Sequence, residues 1–263
     1  MTESLGRHWL LLRGLGRESA HWGEFANQLQ DAFPNARITL LDLPGTGCYY
    51  RQASPNSITA IAESLRRDAL SKRLLDQPVS LLGLSLGGMV VWEWMQRHPQ
   101  EIAGGVLINT SFADLSPFYR RLHWQSYRDF AAVALTRDAR QRETRIVRLV
   151  SHRSAAQARI IDEWQRINEA RPVSAANVLR QMFAAAAYSA GDRKPRQPVL
   201  LLSGQSDRLV SPACTEAIHD KFQLEWRRHP QAGHDLPLDD GEWVAAHIQD
   251  WVARIESTDH PPA

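Results

Sequence analysis

The sequence predicts an α/β fold, a mostly parallel β-sheet covered by helices on both faces and interrupted by a helical insertion. Three observations carry this. Short apolar runs alternate with amphipathic stripes from residue 8 to residue 111, the rhythm of βαβ units. The rhythm stops at 112 and returns at 199, and no β-rich run lies between. Residues 79–88, VSLLGLSLGG, read as an apolar strand, an abrupt turn and the start of a helix.

The elements follow in order. Residues 8–12 form the first strand and run into the glycine-rich turn RGLGR at 13–17. Trp22, Phe25, Ala26, Leu29 and Phe33 repeat at helical spacing until Pro34. Residues 36–41 make a second strand, closed by the loop DLPGTG at 42–47. Ile58, Ile61, Ala62, Leu65 and Ala69 mark a second helix, and the strand after Pro78 leads into the helix that ends before Pro99. Residues 102–108 are the next strand. From Phe112 the chain reads as three to five helices, with stripes at Ile160, Ile161, Trp164 and Ile167 and at Val178, Leu179, Met182, Phe183 and Ala186. A linker at 191–198 returns to a strand at 199–202. A short helix at 212–220, a strand at 222–227, a polar loop at 229–239 and a helix at 242–255 complete the pattern. The expected division is a core of residues 1–111 and 196–263 and a cap of residues 112–195.

Composition narrows the classes. With 263 residues, 43% hydrophobic and 23% charged, the chain can bury a large core. Cys48 and Cys214 stand far apart and imply neither a disulfide framework nor a four-ligand zinc site. The early apolar run 9–12 is closed by Arg13, far short of a leader or a membrane span, so a cytoplasmic location without membrane insertion is expected. The net charge of +2 hides an asymmetry: residues 112–197 hold 16 basic against 8 acidic side chains, and the remainder 15 against 21. The basic residues are interspersed with acids and no recognition motif accompanies them, so nucleic acid is not an expected partner.

Gly83-Leu84-Ser85-Leu86-Gly87 matches G-x-S-x-G, in which a serine lifted from a buried strand sits on a strained turn. Glycines two residues to either side remove the Cβ atoms that would crowd it. A serine hydroxyl needs a base, and the base a carboxylate to hold its tautomer, both on loops at the carboxyl ends of strands. Histidines 98, 219 and 247 belong to helices, His8 opens a strand, and His123 and His152 fall in the insertion. His234, in the loop after the last strand, is the expected base; His229 follows that strand too closely. Asp207, beyond the strand at 199–202, is the expected acid, with a turn or helix-capping role as its alternative. The oxyanion donors would be the N–H groups of Leu86, at the helix start, and Leu15, in the loop after the first strand. That loop could also cradle phosphate, but no Lys-Ser/Thr follows it.

Taken together, RGLGRESAHW, DLPGTG, GLSLGG, SGQSD and AGHDLPL resemble the α/β-hydrolase superfamily, in particular its small bacterial carboxylesterases with a helical cap, such as the pimeloyl-carrier-protein methyl ester esterase group. The resemblance implies the same roles for Ser85, Asp207, His234, Leu15 and Leu86. It implies about six strands, since the segment before residue 8 is short for the two leading strands of the full fold. It also implies a structural role for Asp42 in the turn toward Gly45 and Gly47. The family usually has His-Gly where this chain has Arg13-Gly14.

The chemistry expected is hydrolysis of a small or medium-chain acyl ester through an acyl-enzyme, with no metal or organic cofactor. Thioester and carbon–carbon bond hydrolysis use nearly the same groups, and a non-catalytic acyl-binding protein is the alternative from another class. The cap should roof the site, and Trp22, Leu84, Phe112, Leu115 and Trp124 are candidate lining residues for an apolar acyl channel. The arginine-rich cap raises an acidic acyl-carrier protein as candidate partner, contacting Arg121, Arg128, Arg142 and Arg145; an ordinary solvated helical face is the plainer reading.

Overall fold

The computed structural model describes residues 5–152 and 157–259, apart from the side chains at 124, 258 and 259. Six strands form one parallel sheet: β1 (His8–Leu12), β2 (Arg37–Leu41), β3 (Val79–Leu84), β4 (Ile102–Ile108), β5 (Val199–Gly204) and β6 (Glu225–His229), in the order β2-β1-β3-β4-β5-β6. Every residue of β3 and β5 is buried, as a sheet covered on both faces requires.

The covering helices, in chain order, begin with α1 (Phe25–Ala32), α2 (Ile58–Ser71) and α3 (Leu86–Arg97). Between β4 and β5 the chain inserts α4 (Phe118–Arg121), α5 (Tyr127–Leu135), α6 (Ala139–Val150), α7 (Gln157–Ala170) and α8 (Ala175–Ala187). The core resumes with α9 (Pro212–Phe222) and α10 (Leu236–Asp259). Side-chain alternation along the strands divides the core in two. Leu10, Leu12 and Leu81 pack with α2, α3 and α9, whereas Trp9, Leu11 and Leu82 pack with α1 and α10. The chain builds outward from β1 to β2, then returns to place β3 on β1's other side. The crevice at the carboxyl ends of β1 and β3 is therefore where an open α/β sheet offers a site.

The last helix starts at Leu236 instead of residue 242. Its second residue, Pro237, is tolerated in a first turn that has no partner for that N–H. Asp240 interrupts the helix with non-helical backbone (φ −153°, ψ 77°), and its Oδ1 accepts the Trp243 N–H at 3.0 Å, restarting it.

The inserted helices have a small core of their own in Val147, Leu149, Val150, Ile160, Ile161 and Trp164. Their attachment to the sheet domain is apolar where Phe112, Ala184 and Tyr188 join the core beside α2, α3 and α9, and polar elsewhere. On α8, Asn177 donates to the carbonyls of Gly45 and Gln52 and accepts the Ser54 N–H, while Gln181 accepts the Gly16 N–H and donates to the Pro44 carbonyl. Arg17 reaches Glu143 at 2.8 Å and lies over the Trp164 ring, and Arg171 grips Glu18 through two guanidinium nitrogens. Glu18 and Glu143 are almost fully buried, so each depends on its arginine.

His21 completes this junction. Arg17 Nη1 lies 3.0 Å from its Nε2, and its Nδ1 faces the Glu18 backbone, 3.2 Å from the N–H and 3.3 Å from the carbonyl. Burial first, and then the guanidinium charges of Arg17, Arg13 and Arg171, hold its pKa well below 6.5. The unfolded chain therefore binds a proton below pH 6.5 that the folded chain refuses. The stability associated with neutral His21 is present above that pH and is lost as pH falls toward the depressed folded value. In urea unfolding, wild type should lose up to about 1.4 kcal/mol per pH unit below 6.5 relative to His21→Phe. Parallel slopes for the two proteins between pH 7.5 and 5 would remove His21 from the account.

Candidate active site

The turn after β3 has the geometry its sequence demands. Ser85 adopts φ 57° and ψ −116°, a backbone state that side chains rarely occupy. A Cβ on Gly83 would come within 2.4 Å of the Gly87 carbonyl, and one on Gly87 within 2.4 Å of the Leu12 carbonyl oxygen. The two glycines thus let the first turn of α3 lie directly against β3 and the end of β1. The strained serine is held from both sides: its N–H donates to Ile108 at 2.8 Å, and its carbonyl accepts the Thr110 hydroxyl at 2.8 Å.

Asp207 and His234 extend from the loops after β5 and β6 and meet at 2.7 Å through Oδ2 and Nδ1. They are 6% and 5% exposed, so the bond is sheltered from water. The other carboxylate oxygen of Asp207 accepts the N–H groups of Leu209 and Val210, which fixes its orientation. A carboxylate only accepts, so Nδ1 carries a proton, and Nε2 is the nitrogen that holds the lone pair in the neutral ring. Among the described residues the Ser85 hydroxyl makes no hydrogen bond. The imidazole–carboxylate pair is therefore formed ahead of any bond to the serine.

The loop after β1 lies against this turn. A Cβ on Gly14 would sit 3.3 Å from the Leu84 carbonyl oxygen and from Ser85 Cβ, a closeness that glycine permits. Leu15 follows in the same loop, partly buried against the core, and Leu86 is the first, buried residue of α3. The structure thus brings together the chain segments of Ser85, Leu86, Gly14 and Leu15, and separately pairs His234 with Asp207.

Residues that sequence reasoning passed over hold these loops. Asn109 ends β4 with φ 47° and is 2% exposed. Its Nδ2 donates to the carbonyls of Gly233 and His234 at 3.1 and 2.7 Å, and its Oδ1 accepts the Gly204 N–H at 3.0 Å. One side chain therefore joins β5 to the histidine loop. The available signal was an asparagine directly after an apolar strand, a residue that tolerates left-handed backbone. Asp239 accepts the N–H groups of His152 and Gly233 and the Ser151 hydroxyl. The Asp235 N–H donates to the Val150 carbonyl, and His152 Nε2 to that of Ser206. The end of α6 is thus stitched to the loops of both Asp207 and His234.

The expected lining residues do not come together. Trp22 and Leu84 belong to the core beside α1 and α10. Phe112 packs with Trp92 and Tyr188 in the opposite core, with Leu115 at its edge. Strand alternation turns Leu84 away beneath Ser85, whose side chain emerges next. The Trp124 side chain lies outside the described residues. Of the cap arginines, Arg128 and Arg145 are exposed and Arg142 is half-buried. Arg121 instead faces inward, its guanidinium donating to the carbonyls of Ala185 and Ala186 and to Ser111. Burial lowers its pKa, and it secures the end of α8 instead of meeting a partner. Asp42 shapes its turn as expected, accepting the N–H groups of Ser19 and Cys48 where a Cβ on Gly47 would collide with it. Among the described residues no group of histidine, cysteine, aspartate and glutamate could hold a metal ion, and no helix is long and apolar enough to cross a membrane.

Comparison with known proteins agrees with this architecture. The biotin biosynthesis bifunctional protein BioHC of Teredinibacter turnerae is 23% identical over 262 residues, covering 92% of this chain and 44% of that one. A pimeloyl-[acyl-carrier protein] methyl ester esterase of Chromobacterium violaceum is 31% identical over 112 residues, 42% of this chain and 40% of that one. The matches thus span under half the length of these curated relatives. Among solved structures, a thermophilic esterase from Thermogutta terrifontis superposes with a TM-score of 0.68 at 21% identity, covering 96% of this chain and 91% of that one. The esterase RhEst1 from a Rhodococcus species gives 0.74 at 17% identity over 96% and 92% of the two chains, and a bacterial membrane phospholipase A gives 0.75 at 20% identity over 95% and 79%. At these identities the likeness is one of fold. The profile described as alpha/beta hydrolase fold matches residues 8–241, and this chain, with its six-stranded parallel sheet and helical cap, belongs to that family.

Proposed function

We propose that this chain is a serine carboxylic-ester hydrolase with Ser85 as nucleophile, His234 as general base and acid, and Asp207 as the carboxylate that orients the imidazole. The observation that carries the reading is the sheltered 2.7 Å bond between His234 Nδ1 and Asp207, on loops beside a serine held at φ 57°. In the reaction, Nε2 takes the Ser85 proton as the oxygen attacks the ester carbonyl. The N–H groups of Leu15 and Leu86 receive the developing oxyanion, and the imidazolium returns its proton to the departing alcohol. Water then repeats the sequence on the acyl-enzyme. The cap, taken as residues 112–195, roofs the substrate.

The substrate class within this reading is an acyl ester carried by an acidic carrier protein. Arg145, Arg148 and Arg208 share the lining of one cavity of about 180 Å³ with Asp129 and Leu149. All three arginines are exposed, on the cap and on the residue after Asp207. The similarity to an esterase named for a carrier-bound methyl ester supports the same direction.

A fluorophosphonate probe should label Ser85 in wild type and leave Ser85→Ala and His234→Ala unlabelled; labelling of His234→Ala at the wild-type rate would remove the base from the mechanism. Asp207→Asn should lower kcat by on the order of 10³- to 10⁴-fold on p-nitrophenyl butyrate, because the amide favours the wrong imidazole tautomer. Strong acyl-CoA hydrolysis with negligible ester turnover would replace the ester reading with a thioesterase. For the partner, reversing Arg145 and Arg148 to glutamate should lower kcat/KM on a carrier-bound ester by about tenfold or more at low salt, with p-nitrophenyl butyrate unaffected. A loss shared equally by both substrates, or none, would dismiss carrier steering.

A further inference from the structure

Arg13 is the first residue beyond β1, and Asp235 directly follows His234. Their side chains meet in two parallel bonds, Nη1 to Oδ1 at 3.1 Å and Nη2 to Oδ2 at 2.5 Å, with exposures of 2% and 3%. The guanidinium also lies over the Trp22 ring, 4.8 Å from its centroid. The backbone that continues from Arg13 carries Gly14, where a Cβ would lie 3.3 Å from that of Ser85, and then Leu15. The pair therefore joins the segment of the expected oxyanion donor to the segment of the expected base.

Its composition argues against a purely stabilising purpose. Two charges taken out of water seldom regain their hydration through mutual attraction, and a hydrophobic pair of similar volume often serves stability as well. Arg13 Nε is in addition buried without a hydrogen-bond partner, as is the indole N–H of Trp22. What the pair supplies that apolar packing does not is a planar, two-bond geometry with one preferred distance and direction. The Asp235 backbone is already tied the other way, to Val150 on α6. Its side chain adds the only two bonds among those described that run from this loop to the loop after β1.

We propose that the Arg13–Asp235 pair is a positioning clasp that fixes the spacing between the Leu15 N–H and the imidazole of His234. The imidazole takes the Ser85 proton while the N–H receives the oxygen of the carbonyl under attack, so a loss of register between their loops slows attack without touching a reacting atom. The clasp rests on the serine-hydrolase reading above, and its test separates the two.

The experiment measures the rate of fluorophosphonate labelling at Ser85, the thermal midpoint, and kcat and KM on p-nitrophenyl butyrate for the full chain. The variants are R13K, R13M and the apolar double replacement R13M/D235L. Arg13→Met should label at least about tenfold slower than wild type, because an ångström of misplacement at a reacting centre can cost more than that. R13M/D235L, which leaves no charge unpaired, should recover the thermal midpoint and still label slowly, with the loss in kcat and not in KM. Arg13→Lys should fall between, since an ammonium cannot make the two-bond fork. If Arg13→Met is too unstable to assay, the double variant decides alone. Wild-type labelling and turnover in R13M/D235L would overturn the clasp and leave the hydrolase reading standing. Folded wild type that resists labelling would overturn the nucleophile itself, and the clasp with it.

Discussion

A serine at φ 57° is the constraint from which the surrounding architecture follows. Left-handed backbone at a residue with a side chain costs energy of order 1–3 kcal/mol and survives only where neighbours over-determine it. Here they do. The Ile108 carbonyl and Thr110 hydroxyl, from the end of the adjoining strand, take up the backbone of Ser85, and Gly83 and Gly87 bring α3 into backbone contact with β3 and β1. The same close packing places the loop after β1 beside the serine. Sheet order, glycine placement and the exposure of one hydroxyl are one arrangement.

Around that turn, the joins between cap and sheet domain differ in kind from the joins within the sheet domain. The two cores flanking the sheet are apolar and continuous. The cap adds Phe112, Ala184 and Tyr188 to the first of them, and is tied further by amide side chains that complete backbone loops and by buried carboxylates held by arginines. Such bonds are directional and specify one seating of the cap, whereas apolar contact alone tolerates sliding. Asn177 and Gln181 act on the loop after β2 and on Gly16, and the end of α6 acts on the loops of Asp207 and His234. The helical insertion thus sets the positions of the loops that carry Asp207 and His234.

The parts legible in the sequence are those encoded locally. Strand–helix alternation, the G-x-S-x-G turn and the reversion to β pattern at 199 depend on spacings within a few residues, and the structure reproduces them. Asp207 and His234 stand out in the sequence because a serine on such a turn predicts a base and an acid at strand ends, and the structure pairs the two side chains. Asn109 and Asp239 do not, because the partners that join them to other elements lie over eighty residues away and nothing in their own neighbourhood distinguishes them from turn and cap residues. Asp239 illustrates the point: beside Asp240 it reads as half of a helix cap, yet only Asp240 caps and Asp239 turns to Gly233 and His152. The described residues of the candidate channel are divided between the two cores. Apolar character marks Leu84, Trp22 and Phe112 equally for lining or for core, and only the face of the sheet decides.

Three aspartates crowd the histidine loop, and their partners explain why one of them can serve the imidazole. Asp235 adjoins His234 in sequence, and Asp239 bonds to the preceding glycine. Left unpaired, either would place a second negative charge near the ring and compete for its Nδ1 proton. Asp235 is instead occupied by the two-bond fork of Arg13, and Asp239 by two backbone N–H groups and a hydroxyl. Asp207 alone keeps an oxygen directed at the ring, with its other oxygen taken by the N–H groups of Leu209 and Val210. The pairing of the imidazole with one carboxylate thus goes together with what the other two already hold, and the buried Arg13 has an electrostatic reason to stand opposite Asp235.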